Sequence, residues 1–236
     1  MTRILTACPP WHEAAGPSGQ AGRRRWHHRA VTAPSLARAT ASLAQRDPVL
    51  AGLIDRHGTP PRRRPVRIDR RFESLVEAIV FQQLAGRAAA TIHGRLVDAL
   101  GGTVTPAAVL AASPDLLAGC GLSRAKAASI RDLADKVMTG QIDLARVGRL
   151  SDEDVVVHLT QVRGIGPWTA QMFLLSTLGR LDVWPTGDYG VRAGFGRAWG
   201  LTAAPSPEEL LRLGEPFRPY RSLVAWYCWR TMDDPD

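Results

Sequence analysis

In the stretch LTQVRGIGPWTAQMF, residues 159–173, two glycines and a proline fall within four residues, between segments that otherwise read as helix. The spacing predicts a tight helix–hairpin–helix over about residues 151–178. Val162-Arg163-Gly164-Ile165-Gly166 turns the chain, Gly164 and Gly166 take positive φ to bring the backbone close to a partner, and Pro167 is preset for the first helical turn. The N–H groups of Gly166, Trp168 and Thr169 then point outward at the positive end of a helix dipole, where a phosphate fits. Such a contact anchors a nucleic-acid backbone without reading its sequence. A corner that merely turns the chain is the alternative. Downstream, the loop RLDVWPTGD brings two carboxylates. Asp182 is expected to bond loop amides. Asp188 follows Gly187 at the start of a helix, and by itself it reads as an N-cap.

The rest of the chain excludes several chemistries. Cys8, Cys120 and Cys228 are far apart and odd in number, which supports neither a disulfide framework nor a zinc or iron–sulfur site. His93 and His158 are isolated, so surface or core roles outweigh metal binding. No apolar run reaches the roughly 18 residues of a membrane span, and the N-terminus has no continuous apolar stretch of a secretory signal. A soluble, cytoplasmic protein is expected. The net charge of +8 is unevenly placed: residues 1–70 hold 13 Arg against 4 acids, whereas residues 71–236 hold 17 basic against 18 acidic residues. Any grip on nucleic acid by the larger part must therefore use a local patch, backbone amides and helix N-termini.

These chemical residues must be held by helices. Residues 1–34 mix Pro, Gly, Arg and His without a period and read as a disordered basic tail. Arg23, Arg24, Arg25, His27 and His28 form either a phosphate-binding arm or, as favoured, a solvated extension. Residues 35–58 have helical spacing interrupted at Pro48, and TPPRRRPVR links onward. From residue 71 one long or two abutting helices run to Gly101 and Gly102, followed by two short pieces. Ser123 is an N-cap for a helix stopped at Gly140, and Ser151 with Asp154 forms an acidic variant of the capping box. A glycine-diluted helix follows Asp188, and two helices close the chain, the last strongly aromatic. Strand-like alternation is nearly absent. The expected architecture is all-α and two-lobed, one domain over residues 35–236.

The stretch VRGIGPWTAQMFLLSTLGRLDVWPTGDYGVRAGF resembles the signature of the helix–hairpin–helix (HhH-GPD) DNA glycosylases in their 3-methyladenine, alkyl-base branch. FESLVEAIVFQQLAGRAAATIHGRL is similar to that branch's upstream QQL helix pair, and FRPYRSLVAWYCW to its closing helix, so the likeness covers about residues 36–232. Asp188 falls on the family's catalytic aspartate, a carboxylate that stabilises the electron-poor sugar left when an N-glycosidic bond breaks, or aligns the attacking water. Trp168 and Trp229 match aromatic pocket positions, with Tyr189 and Trp184 as neighbours; a core role is the alternative for Trp229. Met172 stands where some members have a pocket tyrosine, which implies a softer pocket.

The resemblance implies a monofunctional enzyme, because strand-nicking relatives carry a lysine at the Trp168 position and a Schiff base needs an amine. The only lysines, Lys126 and Lys136, lie upstream. Alkylated purines are cationic and suit an electron-rich aromatic pocket. Gln82 is expected in the minor groove, Gln83 in the gap left by a flipped nucleotide and Leu84 close by as a wedge, a one-residue shift exchanging the two glutamines. The carbonyls of Thr160, Val162 and Ile165 match a site for a monovalent cation, while no required cofactor and no iron–sulfur cluster are expected. The partner implied is damaged double-stranded DNA, bound by a monomer in a bacterial-type cytoplasm and nucleoid. Alternatives are a glycosylase for deaminated or oxidised bases, a non-catalytic DNA-binding module, and a helical scaffold.

Overall fold

A computed structural model describes residues 35–61 and 64–234. The basic tail, with its arginine and histidine cluster, and part of the proline-flanked linker lie outside the described residues. Those described form twelve α-helices and no strand.

Local rules account for most helix ends. Ser35 caps α1 (Leu36–Arg46), and Asp47 ends it and caps α2 (Pro48–His57), with Pro48 at the first helical position. The segment that sequence leaves as one or two helices is two, α3 (Arg71–Phe81) and α4 (Gly86–Ala99), parted by the QQL turn. Short helices α5 (Pro106–Ala111) and α6 (Pro114–Gly119) pack on α7 (Arg124–Met138), which begins at the Ser123 cap and is followed by Gly140 at φ 77°. Ser151 accepts the Asp154 N–H at 3.0 Å to start α8 (Asp152–Leu159), but Asp154 does not reach back to it. The reciprocal capping box forms instead between Ser206 and Glu209, whose longer side chain spans the turn, at the start of α11 (Pro207–Leu213).

The helices fall into two groups. In one, α3 packs against α4, α7 and α9 (Pro167–Ser176), and α8 against α9. In the other, α10 (Tyr189–Ala198) runs along α12 (Arg221–Asp233), with α2 on α12 and α1 on α2. The buried side chains of both groups make a continuous core. Helices α9 and α12 are buried nearly all round, which is why neither carries a polar face. Each contributes a tryptophan to the place where the groups meet.

Candidate active site

Asp188 occupies that junction. Two short backbone bonds, Thr186 N–H to Trp184 O and Asp188 N–H to Pro185 O, both 2.9 Å, coil the WPTGD loop and deliver Asp188 as the N-cap of α10. Its Oδ1 accepts the Val191 N–H at 2.9 Å and the Trp229 indole N–H from α12 at 3.0 Å. Its Oδ2 accepts the Trp168 indole N–H from α9 at 2.6 Å. The residue is 9% exposed. All three partners are neutral donors, which match an acceptor-only carboxylate, and no arginine, lysine or histidine among the described residues pairs with it.

Glycines on α10 make this reach feasible. A β-carbon at Gly194 would stand 2.0 Å from the Cys228 carbonyl oxygen, and one at Gly190 would stand 3.0 Å from Trp229 Cδ1 and 3.1 Å from Asp188 Oδ1. The two glycines lie four residues apart on one face, so the glycine dilution seen in the sequence is what lets α12 lie against α10.

Asp182, six residues earlier, is built differently. It accepts from Arg221 Nε at 2.9 Å, Arg221 Nη2 at 3.0 Å and Arg218 Nη1 at 2.7 Å, and from one amide, Arg221 N–H, at 3.3 Å. The expectation of loop-amide partners is thereby corrected: two guanidinium groups from beyond α11 displace them, since charge-assisted forked bonds are the stronger. Asp182 is paired with cations, whereas no cation among the described residues pairs with Asp188.

The hairpin forms between α8 and α9. Val162 and Ile165 are buried and anchor it, with Val162 N–H bonded to Leu159 O and Ile165 N–H to Val162 O, both 3.1 Å. Gly164 adopts φ 76°, and a β-carbon there would stand 2.3 Å from Ser129 Oγ. Gly164→Ala is therefore expected to cost about 1–3 kcal/mol, read as a lower midpoint in urea unfolding. Gly166 corrects the sequence reading. It has φ −92° and ψ 176°, extended backbone that any residue adopts, and a β-carbon would meet nothing within 4 Å. Its φ is not positive because it serves as the N-cap of α9, a position that calls for extended backbone. No side chain caps α9, so its first amides stay open to an anion.

The QQL turn is fastened to this hairpin. Gln82 Nε2 donates to Gly164 O at 2.9 Å and to Thr169 Oγ1 at 3.1 Å, so its amide nitrogen braces the turn. Thr169 presents its backbone at the helix start while its side chain is buried under Gln82. Lys126 Nζ donates to Val80 O at 2.7 Å and to Gln82 O at 2.8 Å; burial pushes its ammonium pKa down. Asp132 accepts the Arg163 N–H at 2.7 Å and Lys136 Nζ at 2.6 Å. Burial opposes the charge of Asp132, yet Lys136 and the Arg163 amide together hold its carboxyl below the usual range. Gln83 sits at the exposed tip with φ 56°, and Leu84 is half-buried against the core. None of these long-range bonds has a signal in local sequence pattern.

Met172 is buried one turn beyond Trp168 on α9, and Tyr189 is 58% exposed beside Asp188. Trp184, the first residue of the WPTGD loop, turns its side chain into the core, where its indole donates to Leu210 O at 2.8 Å. Thr160 closes the C-terminal end of α8, and Val162 and Ile165 follow in the turn, where the Val162 carbonyl also accepts the Ile165 N–H at 3.1 Å; backbone carbonyls are neutral, hard oxygen donors of the kind a monovalent ion takes. Among the described residues no group of three or more His, Cys, Asp or Glu side chains could hold a metal. Cys120 and Cys228 are free and buried, and burial pushes the Cys228 thiol pKa up.

Known proteins resemble this chain in sequence and fold. The chain is 33% identical over 163 residues to DNA-3-methyladenine glycosylase 1 of Schizosaccharomyces pombe, covering 68% of this chain and 72% of that one. It superposes on a structure of the S. pombe 3-methyladenine DNA glycosylase in complex with abasic DNA with a TM-score of 0.75 and 30% identity, over 84% of this chain and 97% of that one. On a DNA-3-methyladenine glycosidase from Bacillus halodurans the TM-score is 0.72 at 30% identity, over 84% and 89%. Residues 76–219, which run from the first QQL helix past the hairpin and Asp188, match the model of the HhH-GPD superfamily, and to that superfamily of base excision DNA repair proteins the chain belongs.

Proposed function

We propose that the protein is a monofunctional DNA glycosylase that flips an alkylated purine of the 3-methyladenine type out of duplex DNA and hydrolyses its N-glycosidic bond, leaving an abasic site. The observation that carries this reading is Asp188: a buried carboxylate whose partners among the described residues are all neutral donors, at the end of a loop that leaves a hairpin with open amides. The glycosidic bond breaks with its electron pair on the base, so a cationic alkylated purine departs neutral. The uncompensated carboxylate stabilises the positive sugar, and water adds its oxygen to C1′ while losing its proton to the carboxylate. The lower intrinsic stability of the alkylated glycosidic bond makes protonation of the base unnecessary. The relatives, 3-methyladenine glycosylases by name, support alkylated purines as the substrate class.

In this reading the base enters beside Trp168 and Trp229. Met172 shares the face of α9 with Trp168, and Tyr189 stands at the mouth. Gln83 and Leu84 fill the space the nucleotide leaves, and Gln82 braces them. The amides of Gly166, Trp168 and Thr169 take a phosphate. A monovalent ion would be held by the carbonyls of Thr160, Val162 and Ile165 and would add positive charge toward that phosphate. Lys126 and Lys136 are both engaged away from Asp188, which supports hydrolysis without strand nicking. One copy suffices, since the carboxylate, its donors and the hairpin come from one chain, and its substrate would put it at the nucleoid. No helix among the described residues is long and apolar enough to cross a membrane.

The test is release of radiolabelled bases from methylated duplex DNA, with alkali-independent nicking scored in the same tubes. Base release without nicking is the expected result; salt-sensitive binding with no release would turn the reading toward another lesion or a non-catalytic module. The phosphate grip has its own check. Gly166→Ala leaves the unfolding free energy within about 0.5 kcal/mol, because the added methyl meets no protein atom. It should weaken binding to abasic duplex about tenfold, a Kd ratio worth about 1.4 kcal/mol, measured by fluorescence anisotropy.

A further inference from the structure

We propose that Trp168 and Trp229 are positioning residues for Asp188, holding its carboxylate through their indole N–H groups so that the remaining lone pair of Oδ2 faces the reacting sugar. The inference rests on the glycosylase reading and deepens it, since aromatic residues at such a pocket are otherwise read as faces on which a base stacks.

The geometry assigns the donors. Oδ1 receives two N–H groups, from Val191 and Trp229, and Oδ2 receives one, from Trp168. A carboxylate oxygen offers about two acceptor directions, so Oδ1 is filled and Oδ2 has one open. An indole is a donor only, with a single N–H and no charge. It can therefore fix a carboxylate in rotation without cancelling the charge that the oxocarbenium-like state needs. An arginine would fix it more firmly through a fork, but at the cost of that charge, as Asp182 illustrates in the same loop with Arg221 and Arg218. The two indoles come from opposite helix groups, α9 and α12, so the angle of the carboxylate is set by how the groups dock. Gly190 keeps the path clear: a side chain there would press on both Trp229 and Asp188.

The experiment replaces each tryptophan, one at a time, by β-(3-benzothienyl)alanine, an isostere with sulfur in place of the N–H, and so removes the donor while keeping the ring. Single-turnover base release from dimethyl-sulfate-treated duplex DNA is measured beside DNA affinity. The control is the same replacement at Trp184, whose indole, as buried as that of Trp229, bonds Leu210 O in the core. The expected result is a fall in rate of about 10- to 100-fold at position 168 or 229, with Kd changed less than about twofold and no change at position 184. Wild-type rates in all three proteins would overturn the proposal, leaving ring stacking as the role, and so would an equal loss at position 184. If the wild type releases no base, the glycosylase reading is what fails. The indole ¹H–¹⁵N resonances then decide the donor arrangement: signals of Trp168 and Trp229 that move in Asp188→Asn support it, and signals that stay overturn it.

Discussion

Asp188→Asn is expected to reduce base release at least about 100-fold, the scale on which a single transition-state charge partner acts, while the protein stays folded. Asparagine is as good an N-cap as aspartate, and its carbonyl can still take the Val191 N–H, so α10 keeps its start. What changes is the face toward Trp168. If the amide oxygen stays on the Val191 and Trp229 side, the amide nitrogen opposes the Trp168 N–H, donor against donor, where a 2.6 Å bond stood. The loss therefore combines a missing charge with a disturbed orientation. Single-turnover release, a thermal melt and binding to abasic duplex measured on the same preparation check this. An unchanged rate would remove Asp188 from the chemistry, and a collapsed melt would make the cap its main role.

Gly194→Ala is expected to cost about 3 kcal/mol or more, the upper range for overpacking. Its added carbon would lie 2.0 Å from a backbone carbonyl of α12, an atom that no rotamer change can move aside. The helices must part, and Trp229 lies one residue beyond Cys228 on the helix that is pushed away. The variant should therefore lose both denaturant stability and base release, the second by more than its unfolded fraction explains when measured well below the melting temperature. Gly164→Ala offers the comparison: it strains the hairpin but leaves α10 and α12 in register.

Much of the frame is legible in the sequence because helix ends obey short-range rules. Ser123, Ser151 and Asp188, the caps read from the chain, each bond an amide three residues on, and Ser35 and Asp47 follow the same rule in the structure. The hairpin is legible for the same reason, as is the break at Pro48. The site's wiring is not. Trp168 and Trp229 reach Asp188 across 20 and 41 residues, Gln82 reaches Thr169 across 87, and Asp182 finds Arg218 across 36. Nothing in periodicity records where a side chain points once two helix groups dock. The bonds from Gln82 to the hairpin go unseen for that reason, whereas the reading of Gly166 as a left-handed turn fails for another, its place as the N-cap of α9.

The bracing of the QQL turn against the hairpin has a mechanical meaning. Gln82 ties the tip to the grip, and Lys126 and Asp132 lock each to α7. On the proposed reading these bonds hold the separation between the phosphate-binding amides and Gln83, like the jaw of a gauge. A protein built this way supplies a dimension, and the duplex supplies the movement. Sites where stacking is weakened yield to the tip at less cost than sound DNA does. On that reading discrimination would begin with the compliance of the double helix, before any base meets Asp188.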